Sequence, residues 1–415
     1  MIQTTVFFDS RKAKNKNMND MQRAWAEVNL DAIEHNVKEI KKLLKPETRL
    51  MGVVKADAYG HGFAETAETI LESGADELAV ACIDEAIQLR ESGFTVPVLI
   101  LGNASSNIAA DLIKYDIMPC VFCREFAADL SKEAVRQGKD AKIHIKVDTG
   151  MSRIGFLYDD CETDKAQTVD DILWISKLPN IKIEGIFTHF AAADESDPSY
   201  TYMQFNRFCE LTERLEKLGV HIPTKHVCNS AAIMQFPEMH LDMVRAGVIM
   251  YGMYPSDEVD RSKLSLMPAM QFKTRVIHVK EVGKDTCVSY GRTYKTAAPA
   301  KIATIAVGYA DGYSRLLSGK AEVIVDGKKV KQIGRICMDQ CMIDVTGVNN
   351  INVGDEVTLF GSDGGTELPI ESIAGNMGTI NYEISCIVGK RIPRIYIRSG
   401  KVVKSLNYLL HDYDL

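Results

Sequence analysis

Between residues 50 and 247 the chain repeats one rhythm, a short apolar run followed by a longer polar or amphipathic stretch, and nothing else in it limits the fold so strongly. The runs fall at 50–55, 77–81, 96–101, 118–122, 142–148, 183–189, 225–229 and 243–247. Each has the length of a strand, and helical patterns at 62–73, 83–92, 124–137 and 200–218 lie between them. Eight strands over about 200 residues, each followed by a helix or turn, predict an α/β fold, a (β/α)8 TIM-like barrel. On pattern alone the alternative is a doubly wound open sheet.

From residue 266 the rhythm changes to strands without long helices, at 271–282, 301–308, 322–325, 329–337, 341–345 and 356–360. Asp326 and Gly327 separate two of these runs, and both residue types tolerate the positive φ of a tight hairpin. A C-terminal mainly β domain is therefore expected over 266–415, after a barrel over 21–265. At 415 residues the chain exceeds what one core usually supports. The run 25–30 alternates like a strand yet precedes the barrel, so it is a candidate to pair with the distant β domain. Asp31 is the expected cap of the helix that follows, to residue 44. Residues 1–20 read as a polar extension, with Met18 and Met21 as alternative starts.

Charge and composition narrow the function. Forty-nine Lys and Arg against 56 Asp and Glu leave a net charge of -7, which repels a phosphate backbone. Nucleic acid is not an expected partner. No apolar stretch approaches the length of a membrane span, so no membrane contact is expected either. Ten cysteines and no secretory signal point to the cytoplasm, with the thiols as small buried hydrophobes. Cys120 and Cys123 have redox or zinc spacing, but no second pair accompanies them, and a strand explains them better.

In a barrel of this kind, reactive residues stand at the carboxyl ends of the strands. Lys55 closes the first run, where desolvation lowers the pKa of an amine and frees it to attack a carbonyl. Lys146 and Asp148 lie on the fifth run, which leads to Gly150 and Arg153. His189 ends the sixth, Asn229 and Ser230 follow the seventh, and Arg245 and Gly247 end the eighth. Alone, each has a structural explanation: a snorkelling lysine, a satisfied core histidine, an arginine paired with a helix carboxylate. Converging at one mouth they make an anion site. Walker, HExxH and complete GxGxxG patterns do not occur, since Glu65 fills the third glycine position, so no metal site is expected.

These residues carry a resemblance. VVKADAYGHG around Lys55 resembles the cofactor-lysine signature of the alanine racemases, a family dependent on pyridoxal 5'-phosphate. KVDTGMSRIG at 146–155, THFAAAD at 188–194, CNSAA at 228–232, VRAGVIMYG at 244–252, VSYGRTY at 288–294, VGYADGYSR at 307–315, GRICMDQ at 334–340 and INYEIS at 380–385 follow in the family's order. The resemblance runs from about residue 22 to 400. It implies a barrel plus a β domain, and a head-to-tail homodimer with active sites shared between subunits.

By that resemblance Lys55 would hold the cofactor covalently. Tyr59, Ser230 and Tyr382 would hold its phosphate with backbone N–H groups near Gly247 and Val248, while Asn229 would join the cofactor site. Arg245 would face the pyridine nitrogen, with His189 supporting the ring. Arg153 would bind the substrate carboxylate, oriented by Lys146, which matches a lysine carbamylated in many members. Tyr290 and Met338 would arrive from the partner subunit and, with Tyr382, limit the substrate to about the size of alanine. Racemisation removes a proton from one face of a planar carbon and returns it to the other, so two bases must flank the plane; Lys55 and Tyr290 are the expected pair. The expected product, D-alanine, would serve peptidoglycan. Alternatives are a racemase for serine or for a broad range of amino acids, a decarboxylase of the same fold using a cysteine near Cys337, and a non-catalytic cofactor-binding barrel, which would lack the β domain.

Overall fold

The computed structural model describes residues 22–410; the expected extension at 1–20 and both alternative start residues lie outside them. Eight parallel strands form a closed barrel: Arg49–Val53, Glu77–Val80, Val98–Ile100, Met118–Val121, Ala141–Asp148, Ile181–Phe187, Thr224–His226 and Met243–Ala246. Every expected run holds one of them. The last strand pairs with the first in parallel register, Arg245 opposite Met51. The remaining seam is closed by Asp242 N–H donating to Lys225 O at 3.2 Å and Arg245 N–H to Cys228 O at 3.1 Å. A closed barrel leaves no open edge, which excludes the doubly wound sheet.

The two faces of this sheet have different chemistry. Ile143, Ile145 and Val147 point outward to the helices, in one large core with Leu130, Ile172 and Phe208. The inward face holds a small apolar plug of Met51, Val53, Ala79, Leu99, Met118, Cys120, Phe187 and Met243. His144, Lys146, His226 and Arg245, all buried, belong to the same strands. The alternation that places Ile145 outside places His144 and Lys146 inside, because strand side chains have a period of two.

Strand Ala24–Asn29 lies in the second sheet, antiparallel to Met270–Val282 and parallel to Arg394–Arg398. That sheet has ten strands and a core of its own around Phe272, Val323, Ile324, Ile343 and Leu359. The first strand thus anchors the chain in the β domain before it enters the barrel. Asp326 and Gly327, at φ 49° and 68°, make the expected hairpin turn between Glu322–Val325 and Lys328–Ile333. Helix Leu30–Leu43 corrects one expectation: its cap is Asn29, whose side chain accepts from Ala32 N–H, while Asp31 sits in the first turn and accepts from Ser399 N–H. Cys120 lies in its strand, but Cys123 precedes helix Arg124–Gln137; all ten cysteines are free, and only Cys120, Cys228 and Cys341 are the buried hydrophobes expected of them. Among the described residues no helix is long and apolar enough to cross a membrane.

Candidate active site

The first barrel strand stops at Val53, and Lys55 opens a turn of unusual hand. Ala56, Asp57, Ala58 and Tyr59 all have φ between 53° and 55°. This is left-handed helical backbone, which costs an L residue about 1–2 kcal/mol at each position. The surroundings hold it there. Asp57 accepts from Phe63 N–H and from the Tyr408 hydroxyl, Glu85 accepts from Ala56 N–H, and Arg394 donates to Gly60 O. A Cβ on Gly60 would lie 2.1 Å from Ser385 O, and one on Gly62 would lie 1.9 Å from the Tyr396 hydroxyl. The β domain therefore packs directly against the turn that carries the lysine. Strain of this kind, held by contacts on several sides, is characteristic of functional sites.

Burial lowers the pKa of the Lys55 amine, and the Arg153 guanidinium lowers it further. Arg153 itself is exposed. Lys146 is buried and donates to Val147 O at 2.7 Å; burial first, then Arg245, bring it down to about 7, so much of it is neutral amine at neutral pH. Burial and the same arginine hold His189 neutral, well below the usual histidine range. Arg245, pulled to about 10 mainly by burial, keeps its charge. Its Nη1 donates to His226 Nδ1 and His226 O, both at 3.0 Å, and its Nη2 to Thr188 O at 2.9 Å and Val227 O at 3.1 Å. His189 Nδ1 stands 3.3 Å from Nη2.

After the neighbouring strand, Met243–Ala246, Gly247 lies beside two hydroxyls. A Cβ there would come within 2.7 Å of the Tyr59 hydroxyl and 3.6 Å of Ser230 Oγ, and Gly247 N–H donates to Ser230 Oγ at 3.0 Å. Glycine thus leaves open a cradle with hydroxyls on its walls. Tyr382 approaches Tyr59 edge-on with ring centroids 6.5 Å apart. Burial raises the pKa of both phenols, so they remain protonated donors. Val248 opens the short turn after Gly247. The Asn229 side chain caps helix Ser230–Gln235 by accepting from Ala232 N–H, which fixes where Ser230 begins.

Lys55, Lys146, His189, Arg245, Tyr59, Ser230 and Gly247 thus gather where the sequence placed them, although the strands end earlier than expected, at Phe187 before His189 and at His226 before Asn229. Tyr290 and Met338 stand apart on the β domain, 67% and 52% exposed. Tyr290 borders a cavity lined also by Val288, Ser289 and Cys337. The sequence reading missed Asp57, Arg394 and Tyr408, which brace the turn, and His144 and His226, which lie under Arg245. His144 left a signal: it alternates with Lys146 and Asp148 along one apolar strand.

A closed parallel barrel with a strained lysine turn at its mouth, a buried arginine beside it and a hydroxyl-lined cradle between that turn and the next strand marks an enzyme acting on small molecules. The family model for the alanine racemase N-terminal domain matches residues 28–255, and that for the C-terminal domain matches 269–396. The chain belongs to the alanine racemase family. An alanine racemase of Clostridium perfringens is 50% identical over 385 residues, 93% of this chain and 98% of that one. The structure of alanine racemase from Clostridium difficile 630 superposes with a TM-score of 0.89 at 42% identity, covering 94% of this chain and all of that one. A histidine racemase from Leuconostoc mesenteroides is also similar, with a TM-score of 0.83, 29% identity and coverage of 91% and 99%.

Proposed function

We propose that this enzyme interconverts L- and D-alanine with pyridoxal 5'-phosphate as cofactor. The observation that carries the proposal is the partly desolvated Lys55 amine, under the charges of Arg153 and Arg245, on the braced turn whose Tyr59 walls the open cradle at Gly247. The donor set fits the cofactor: an amine for its aldehyde, neutral hydroxyls and a glycine backbone for its phosphate, and a charged guanidinium for its ring nitrogen. Lys55, Tyr59, Ser230, Gly247, Val248 and Tyr382 would hold it, with Arg245 at the ring, His189 beside it and Asn229 fixing Ser230. When bound, pyridoxal phosphate withdraws electrons from the substrate carbon, so that its proton becomes removable.

The side chains direct that chemistry. Arg153 binds the substrate carboxylate. Lys55 takes or returns the proton on one face, and Tyr290 of the partner subunit does so on the other. Arg245 stays charged, does not give its proton to the ring nitrogen, and so limits how far electrons are withdrawn. Proton return is favoured over slower side reactions. Tyr382, with Met338 of the partner subunit, restricts the side-chain pocket. Lys146, neutral in part near pH 7, is suited to carbamylation, and the carbamate would then orient Arg153.

The exposure of Tyr290 and Met338 supports a homodimer in which each β domain completes the other barrel's mouth. Ten free cysteines suit a cytoplasmic enzyme supplying D-alanine for peptidoglycan. The likeness to a histidine racemase shows that this fold accommodates other amino acids, so substrate range is the point to test. Racemisation of L-alanine, L-serine and L-histidine measured in parallel should give the largest kcat/KM for alanine. A larger value for either of the others would overturn the substrate assignment and leave the racemase chemistry standing.

A further inference from the structure

Beneath Arg245 the barrel holds two fully buried imidazoles, His144 on strand Ala141–Asp148 and His226 on Thr224–His226. Strand Ile181–Phe187 runs between them. They meet across it because that strand carries Gly185 opposite His144: a Cβ there would lie 2.3 Å from His144 Nδ1. Two residues on, Phe187 stacks on the His226 ring, centroids 4.8 Å apart and planes within 13°. The Arg245 guanidinium lies 5.3 Å from the centre of the same phenyl ring.

The hydrogen bonds between these groups run in one direction. Arg245 Nη1 can only donate, so His226 Nδ1, at 3.0 Å, must accept and bear no proton. The proton of His226 is then on Nε2, which lies 2.9 Å from His144 Nδ1 and donates to it. Neither ring gains a second proton, because burial and the surrounding cations, Arg49 among them, hold both far below the usual histidine range. The two Nη groups of Arg245 are committed to His226, Thr188, Val227 and His189. Among the described residues, its Nε–H remains for a ligand at the mouth.

We infer that His144 is a positioning residue for the reaction: by accepting from His226 it selects the tautomer that accepts from Arg245, and so fixes the rotation at which Arg245 Nε–H meets the cofactor ring. The inference rests on the reading of Arg245 given above. With the other tautomer, two donors would face each other and the guanidinium would lose one of its anchors. Gly185 belongs to the same device, since any larger residue would displace the His144 ring.

Holoenzyme labelled with 15N-histidine tests this directly, because bare and protonated ring nitrogens resonate far apart. His226 should show a bare Nδ1 and a protonated Nε2. His144→Leu removes the acceptor and should mix the His226 tautomers, shift the cofactor's absorbance and lower kcat by about tenfold or more with the KM for alanine little changed, as for other partners that orient a ligand. His144→Asn, whose Oδ1 falls near the place of Nδ1, should restore both the tautomer and kcat. A wild-type His226 protonated on Nδ1 would overturn the inference, and so would a Leu variant with unchanged tautomer and kcat. Should the Leu variant not fold, the wild-type spectrum alone decides. Wild-type protein without any cofactor absorbance would instead count against the cofactor reading, since the histidine resonances report the tautomer either way.

Discussion

Arg394 Nε donates to the carbonyl of Gly60 at 2.9 Å, which ties a strand of the β domain to the turn that presents Lys55. The rest of the same buried guanidinium donates to Val388 O, Gly389 O and Ile392 O, so one side chain satisfies four carbonyls. Replacing it with Leu removes all four bonds at once. Arg394→Leu is expected to lower the unfolding free energy by about 3 kcal/mol or more, read from denaturant titration, because each buried polar group left unsatisfied costs roughly 1–3 kcal/mol. A loss under about 1 kcal/mol would mean that the turn holds itself.

Lys146 gives a prediction in pH. Its folded pKa, about 7, lies below the ordinary lysine value of 10.5. Between these values the unfolded chain binds a proton that the folded chain lacks, so stability rises with pH across that window. At pH 7 and below, the full cost of burying the ammonium opposes folding. In buffer free of carbon dioxide, Lys146→Met should be more stable than wild type near pH 7, by an amount that shrinks toward pH 10.5. Labelled bicarbonate should add a carbamate to wild type, detectable by 13C NMR, and nothing to the variant. A wild-type advantage that is constant with pH would contradict a neutral buried amine.

How much of this was legible in sequence differs between the two domains. Short apolar runs between amphipathic stretches place all eight barrel strands, because each buries one face against helices and the other against the plug. Residues Lys55, His189 and Arg245 stand out as polar interruptions of apolar runs. The left-handed turn at Ala56–Tyr59 is invisible, since no local rule favours φ near 54° in four successive residues other than glycine; contacts from Arg394 and Tyr408, more than 300 positions away, impose it. Asp31 was a reasonable cap, but Asn29 has the reach to Ala32 N–H. Strand Arg394–Arg398 was missed although it forms a hairpin with Lys401–Leu406; its second partner, Ala24–Asn29, lies at the other end of the chain.

Tyr290 tests the second base and the dimer together. Tyr290→Phe should reduce racemisation by at least about 100-fold, equally in both directions, while the cofactor's absorbance remains. Mixing Lys55→Ala with Tyr290→Ala chains and allowing exchange should restore roughly a quarter of wild-type activity, since about half of the dimers are mixed and each has one intact site. No recovery after verified exchange would place both bases on one chain.

The central claim is that the Lys55 amine, on its braced turn, is the group that holds the cofactor. Reducing the holoenzyme with borohydride and mapping the pyridoxyl group by mass spectrometry tests it most directly. The account predicts one modified peptide, with the label on Lys55, and none in Lys55→Ala. A label on Lys146 or any other lysine, or an unlabelled protein that nonetheless racemises alanine, would contradict it.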